Sequence, residues 1–543
     1  MAASGGTIGV MQGTSPAQHV VMDAELSLGG LLPSGSVYAF LAEHRRELFP
    51  DAMFADLFPS PLGRPSVPAD VVAAVLVLQA LEGRSDREAA EAMSFDLRWK
   101  AACGWPIAAA AFHPTVLTYW RRRLAASARP QRIFDVVREV VHATGALSGK
   151  TRRALDSTVL DDAVATQDTV TQLVASIRRV ARLLPDGQAL VTAAATASGH
   201  DYSSAGKPQI AWDDEAARAV LVDGLVRDAR AVLAAVAAGS PPAEGAASDA
   251  VGLLALVAGQ DVEYVPDPDD PGGGGRWQIA QRVAKDRVIS TVDPDARHAH
   301  KTVARRQDGF KAHVIAEPDT GLITGCALTR ASGEGSGDAA AGLALLAVDP
   351  TVDRARTAPQ AAVEVLGDSA YGTGAMLAAL AQAGHTAVIK PWPMHSLIPG
   401  GFTAADFAVD EVAGTVTCPA GQTVPFTRGK RAAKFKDRCT GCPLRPRCTT
   451  SANGRVVVVA EHDALQRAHR TRATDPAFAE IYRRHRPMIE RTIAWLTRGN
   501  RRLRYRGVAK NDAWLHLRVA AVNLRRLLNL GLTGAPGHWA LAS

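Results

Sequence analysis

Three carboxylates set far apart in the chain are of the right types to share one piece of chemistry. Asp368 stands at the C-terminal end of Val363–Tyr371 (V-E-V-L-G-D-S-A-Y), a short apolar stretch that reads as a buried β-strand. Asp156 lies in the middle of a second strand-like stretch, Ala154–Leu160, where a buried charge is costly unless it is paired or binds a metal. Glu490 belongs to a helical stretch in which Tyr482, Arg486 and Glu490 are spaced four apart. Steps of four drift only about 40° around a helix, so these three side chains share a face. Two strand-borne aspartates and one helix-borne glutamate can converge on hard divalent cations, Mg²⁺ or Mn²⁺. Two such ions about 3.5–4 Å apart support phosphodiester cleavage: one activates the nucleophile and the other stabilises the leaving oxygen. In that scheme Asp156 bridges both ions, and Asp368 and Glu490 hold one each.

The elements that must position these groups follow from pattern. Phe310–Glu317 and Gly321–Thr329 read as a β-hairpin around the turn Pro318–Gly321, with Lys311 and His313 on its first strand as supporting candidates. A helix over Asp338–Ala347 precedes the Asp368 strand and adds Asp338 as a further helper, a helix over Gly374–Ala383 follows it, and His385–Lys390 reads as a fifth strand. Asp161 and Asp162 compete with Asp156 for the same role. Residues 163–258 are Ala-, Val- and Arg-rich with helical spacing and interrupt the order as a helical insertion, followed by the Gly-rich loop Pro266–Gly275. Strand, hairpin, helix, strand, helix, strand, then a late helix is the order of an RNase H-like core: a mixed five-stranded α/β sheet with flanking helices, over 150–395 and 475–530.

Charge and cysteine usage add partners. The chain of 543 residues carries a net charge of +7, too many residues for one core, and no run long and apolar enough to span a membrane. A cytoplasmic protein is expected. Its basic residues cluster at Tyr119–Leu124, Arg428–Arg438, Arg483–Arg486 and Arg498–Arg506, with Trp or Tyr in the first and last, a pattern suited to a phosphate backbone. After a Gly/Ser/Ala-rich arm at 1–35, residues 36–130 read as short helices. One opens on a Ser85–Glu88 capping box, and the last carries Arg121, Arg122 and Arg123. They fit either a helix-turn-helix type DNA-binding unit or a helical dimerisation domain. In the basic segment 396–474, Cys418, Cys439, Cys442 and Cys448 are spaced so that they either hold a structural Zn²⁺ or remain reduced thiols. The C-terminal helical stretch Ala513–Leu530 is expected to pack on the core, with Arg518, Arg525 and Arg526 on its other side.

Over most of 37–530 the chain resembles the DDE transposases of bacterial insertion sequences, in the branch with a Tyr-Arg-Glu helix signature. The likeness is carried by L-D-S-T at Leu155–Thr158, D-G-F-K-A-H-V at Asp308–Val314, L-G-D-S-A-Y-G at Leu366–Gly372, R-P-M-I-E-R at Arg486–Arg491 and V-N-L-R-R-L at Val522–Leu527. It implies Asp156, Asp368 and Glu490 as the catalytic, metal-holding triad, with Tyr482 and Arg486 beside them. Here Tyr482 precedes Arg486 by one residue more than the family pattern, and Arg498 takes the place of its phosphate-contacting base. The resemblance further implies double-stranded DNA as partner, both terminal inverted repeats and target, a homodimer on DNA, and a bacterial, nucleoid-associated location. An RNase H-like nuclease without strand transfer, and a non-catalytic DNA-binding derivative, are the competing expectations.

Overall fold

The computed structural model describes residues 12–13, 24–60, 65–239, 242, 244–267, 274–281, 284, 286–302, 305–349, 362–427 and 429–542. Arg428 and the middle of the Gly-rich loop lie outside them.

The N-terminal helices form where the sequence marks their ends. Ala69–Glu82 starts after Pro68 and stops at Gly83, which takes the left-handed conformation that closes a helix. Asp86–Phe95 opens on Ser85, whose hydroxyl accepts from the Glu88 N–H while the Glu88 carboxylate accepts from the Ser85 N–H. Thr115–Ala126 follows after a short helix, Leu97–Cys103. Ala69–Glu82 is apolar on nearly every side and almost wholly buried, as a helix surrounded by neighbours must be.

The strands are β1 (Arg152–Asp161), β2 (Val262–Pro266), β3 (Gly275–Ile279), β4 (Arg297–Thr302), β5 (Arg305–Ala316), β6 (Ile323–Arg330), β7 (Glu364–Gly367) and β8 (Thr386–Ile389). The central sheet runs β4-β5-β1-β7-β8, with β6 also on β5. β1 is antiparallel to β5 and parallel to β7, which is parallel to β8. Among the described residues the sheet therefore has six strands, a correction to the five expected. The sixth, β4 (R-H-A-H-K-T), has no apolar alternation, and period-two hydrophobicity is the signal by which a strand is recognised.

Period-two alternation sorts the central strands onto two faces. Ala154, Leu160, Val314, Leu366 and Val388 face a core shared with the N-terminal helices and the helices Pro476–Thr497 and Val508–Asn529. Leu155, Ile315, Val365 and Ile389 face the opposite way, onto Asp338–Val348 and Gly374–Gln382. Gly309 holds the β1–β5 register at φ +147, where a Cβ would stand 2.1 Å from the Leu160 carbonyl.

The insertion after β1 has a core of its own, built from Thr169–Leu183, Gly187–Ala194, Glu215–Ala238 and Gly245–Val257. It extends beyond the expected helices into the β2–β3 hairpin. A second small sheet, from Ala408–Asp410 to Val456–Val458, lies between β8 and the late helices. One expectation fails in Val508–Asn529: Arg518 is buried, donating to the carbonyls of Ala80, Leu81, Trp495, Leu496 and Arg498. It finds main-chain partners where three helices meet, which side-chain periodicity does not reveal.

Candidate active site

Asp156 shares the face of Ala154 and Leu160 and so points toward the Pro476–Thr497 helix. That helix buries His485, Arg486, Ile489, Thr492 and Leu496, a stripe at helical spacing, and leaves Glu490 largely exposed. Arg486 is the hinge of the arrangement. Its Nη2 stands 2.8 Å from Asp156 Oδ2, its Nη1 donates to the Leu155 carbonyl at 2.7 Å, and its Nε lies 3.8 Å from Glu490 Oε1. Pro487 follows it on the exposed side and removes one helical N–H.

Asp368 directly follows β7, the parallel neighbour of β1. Its Oδ1 accepts from the Ala370 N–H at 2.9 Å, which turns the chain into the short 3₁₀ segment Ser369–Tyr371. Tyr371 is buried beneath it, close enough to Gly367 and Gly342 that a Cβ at either would meet its ring at about 3 Å. Burial pushes the Asp156 carboxyl above the ordinary range and the charge of Asp368 adds to this, while Arg486 pulls it down. Burial likewise raises the Tyr482 phenol, which feels Arg486, Asp368, Glu490 and Asp156. Burial puts Tyr371 well above the usual tyrosine value, with Asp338, Asp156 and Asp368 adding to it. The groups singled out from β1, β7 and the late helix thus stand within electrostatic reach of one another.

Lys311 and His313 lie on β5 on the face of Ile315, turned from Asp156, and His313 pairs in register with Ser157. Lys311 Nζ is 3.3 Å from Asp338 Oδ2, and His313 Nε2 meets Thr329 Oγ1 at 3.0 Å. Burial drives the His313 imidazole down to about 4, so it is neutral at pH 7. Its Nδ1 and the facing Asp338 Oδ1, 3.6 Å apart, are buried without a hydrogen-bond partner.

The remaining residues singled out from sequence stand elsewhere. Arg498 is exposed just past the helix end and lines a cleft of about 180 Å³ with Trp495, Val522, Arg525, Arg526 and Asn529. Arg121 pairs with Asp86 and lies over the Tyr505 ring, Arg123 donates to the Leu57 carbonyl, and Arg122 is exposed. Cys418, Cys439, Cys442 and Cys448 are free thiols that line one cavity in the second sheet. Among the described residues, no three His, Cys, Asp or Glu side chains are arranged to hold a metal ion, and no helix is long and apolar enough to cross a membrane. Sequence reasoning assigned no part to Tyr371, although an aromatic closing L-G-D-S-A-Y is a usable signal for a ring packed under the carboxylate turn.

No curated protein and no protein of solved structure matches the chain. Two family models do. Residues 27–123, the N-terminal helices, match a transposase domain (DUF772), and residues 417–528 match a transposase DDE domain. The second match contains Arg486 and Glu490, the helix side of the carboxylate group. One transposase domain matched over its N-terminal helices and another over the helix that faces Asp156 support an insertion-sequence transposase of the DDE type.

Proposed function

We propose that this transposase cuts and joins DNA with Asp156, Asp368 and Glu490 as its catalytic carboxylates, in an RNase H-like core. The observation that supports this reading is that Arg486 reaches both Asp156 on the central strand and Glu490 one turn along its own helix, with the charge of Asp368 acting on it as well. The strand order β6-β5-β1-β7-β8, antiparallel on the hairpin side and parallel beyond β1, supports the RNase H-like assignment.

The donor chemistry fits hard divalent cations. All three candidate ligands are carboxylates, and Asp156 is held in a state that favours neutralisation, by burial and by a second carboxylate nearby. Arg486 supplies the positive charge at Asp156 in this structure. Asp156, Asp368 and Glu490 would hold Mg²⁺ or Mn²⁺, which supplies the Lewis acidity that makes a water or a DNA 3′-OH nucleophilic and neutralises the leaving oxygen. The protein's part is placement. Asp156 is fixed by the sheet, Asp368 by its own turn, and Glu490 stands at the exposed mouth where a DNA backbone can reach it. Arg486, released from Asp156, is placed to contact the scissile or adjacent phosphate, with Tyr482 one turn away. Lys311 is held on Asp338, on the other face of the sheet from Asp156. Arg122, exposed on the Thr115–Ala126 helix, is assigned to the terminal inverted repeats, and pairing of two ends implies a dimer on DNA.

The test is cleavage and joining of labelled DNA bearing the flanking repeats, with Mg²⁺ or Mn²⁺, for wild type and Asp368→Ala. Metal-dependent joining that the variant loses supports the assignment. Repeat binding without any cut in the wild type overturns it in favour of a non-catalytic role, and cutting without joining leaves a nuclease.

A further inference from the structure

The small sheet between β8 and the late helices carries a feature that strand cleavage does not use. Its strands are three to five residues long, and its core is Phe407, Val416, Val424, Ala433, Phe435, Val457 and Val459. So small a core needs a further tie to hold one structure. At one end, two turns deliver cysteines to a common space. In Cys418–Gly421 the Gly421 N–H returns to the Cys418 carbonyl at 2.8 Å, and in Cys439–Cys442 the left-handed Gly441 makes the reversal. Cys448 joins them from the following turn. The four thiols line one cavity with about 20 Å³ of free space, room for one ion, walled by Phe402, Phe407 and Phe435.

A second, independent observation is Arg455. Its side chain lines the same cavity and the residue is only 6% exposed. Its Nη1 donates to the Cys448 carbonyl at 3.2 Å and its main-chain N–H points at Cys439 Sγ at 3.4 Å. The guanidinium lies over the Phe407 ring, yet its Nε is buried with no hydrogen-bond partner, and among the described residues no carboxylate pairs with it. A buried cation calls for a counter-charge. Four neutral thiols supply none, whereas four thiolates on one Zn²⁺ carry two net negative charges in that space.

We propose that Cys418, Cys439, Cys442 and Cys448 bind a structural Zn²⁺ whose thiolates are the counter-charge of Arg455. No three of the thiols converge on one point in this structure, so binding requires their side chains to turn into the cavity that all four line. The site is separate from the carboxylate group, so it stands or falls independently of the cleavage chemistry.

The full chain, expressed with zinc in the medium and purified without chelator, is assayed by elemental mass spectrometry and by mercurial release of bound metal. About one zinc per chain is expected. Cys442→Ser and Cys448→Ser should lose most of it, and Arg455→Met should weaken retention against a chelator by about tenfold. Cys326→Ala, outside the cavity, should keep it. Should the cysteine variants fail to fold, Co²⁺ exchanged into the wild type reports the same site through thiolate-to-metal charge-transfer absorption. Less than a tenth of an equivalent of zinc, with no charge-transfer band on Co²⁺ exchange, overturns the proposal, as does a Cys442→Ser protein that keeps a full equivalent.

Discussion

Arg486 ties the late helix to the central strand twice over: its Nη2 meets the Asp156 carboxylate at 2.8 Å while its Nη1 takes the carbonyl of the residue before it, Leu155. Breaking a buried pair on one side leaves a charge uncompensated at a cost of about 3–5 kcal/mol. Arg486→Met should therefore lower stability by about that amount in urea unfolding, and Arg486→Lys, which keeps the charge but not the fork, by about 1–2 kcal/mol. Wild-type midpoints for both variants would mean that the helix is held by its apolar stripe alone.

Asp156 sets a pH dependence whose sign follows from its environment. Burial, with Asp368 adding, raises its folded-state pKa above the unfolded value, so the native state takes up this proton first. Its contribution to stability is greatest at low pH and is lost as pH rises through the raised value. A cation that relieves the charged form should accordingly raise the melting temperature more at pH 8 than at pH 5, and joining should fall as pH drops through the same window. Scanning calorimetry with and without Mg²⁺ checks this, and an undiminished Mg²⁺ shift in Asp156→Asn would remove Asp156 from the site.

His313 acts in the opposite sense. Burial lowers its pKa to about 4, against an ordinary value of 6.5. Below 6.5 the unfolded chain binds a proton that the native state refuses, so stability is lost as pH falls from 6.5 toward 4, by up to ~3 kcal/mol. His313→Gln should flatten that slope while leaving stability at pH 7.5 nearly unchanged. Denaturant midpoints measured at half-unit pH steps decide it.

Arg518 serves five main-chain carbonyls at the meeting of the Ala69–Glu82, Pro476–Thr497 and Val508–Asn529 helices. Arg518→Met fills the space but leaves those acceptors without a donor, at a cost of about 3 kcal/mol or more. The loss should appear as a lowered denaturation midpoint and faster proteolysis of the N-terminal helices. A midpoint unchanged from wild type would show that water replaces the guanidinium.

Much of the carboxylate grouping was legible because each part announces itself locally. V-E-V-L before Gly367-Asp368 is a short buried strand with a polar end, and four-residue spacing places Arg486 and Glu490 together on one side of a helix. What stayed hidden is what depends on partners distant in sequence. Arg518 looks like a surface residue until the carbonyls of other helices surround it, and that Arg121 stands between Asp86 and the Tyr505 ring is equally invisible in the sequence. β4 was missed because histidines, arginine and lysine hide an edge strand from any hydrophobic pattern.

The separation of 331 positions between Leu155 and Arg486 also imposes an order in time. At ribosomal speed they take roughly 20–60 s to synthesise. During that interval the nascent chain carries Asp156 and then Asp368 without the helix that brings Glu490, and the N-terminal helices wait for Val508–Asn529 to complete their shared core. A chain still being translated thus has two of its three candidate carboxylates, and the proposed centre is assembled only near the end of synthesis.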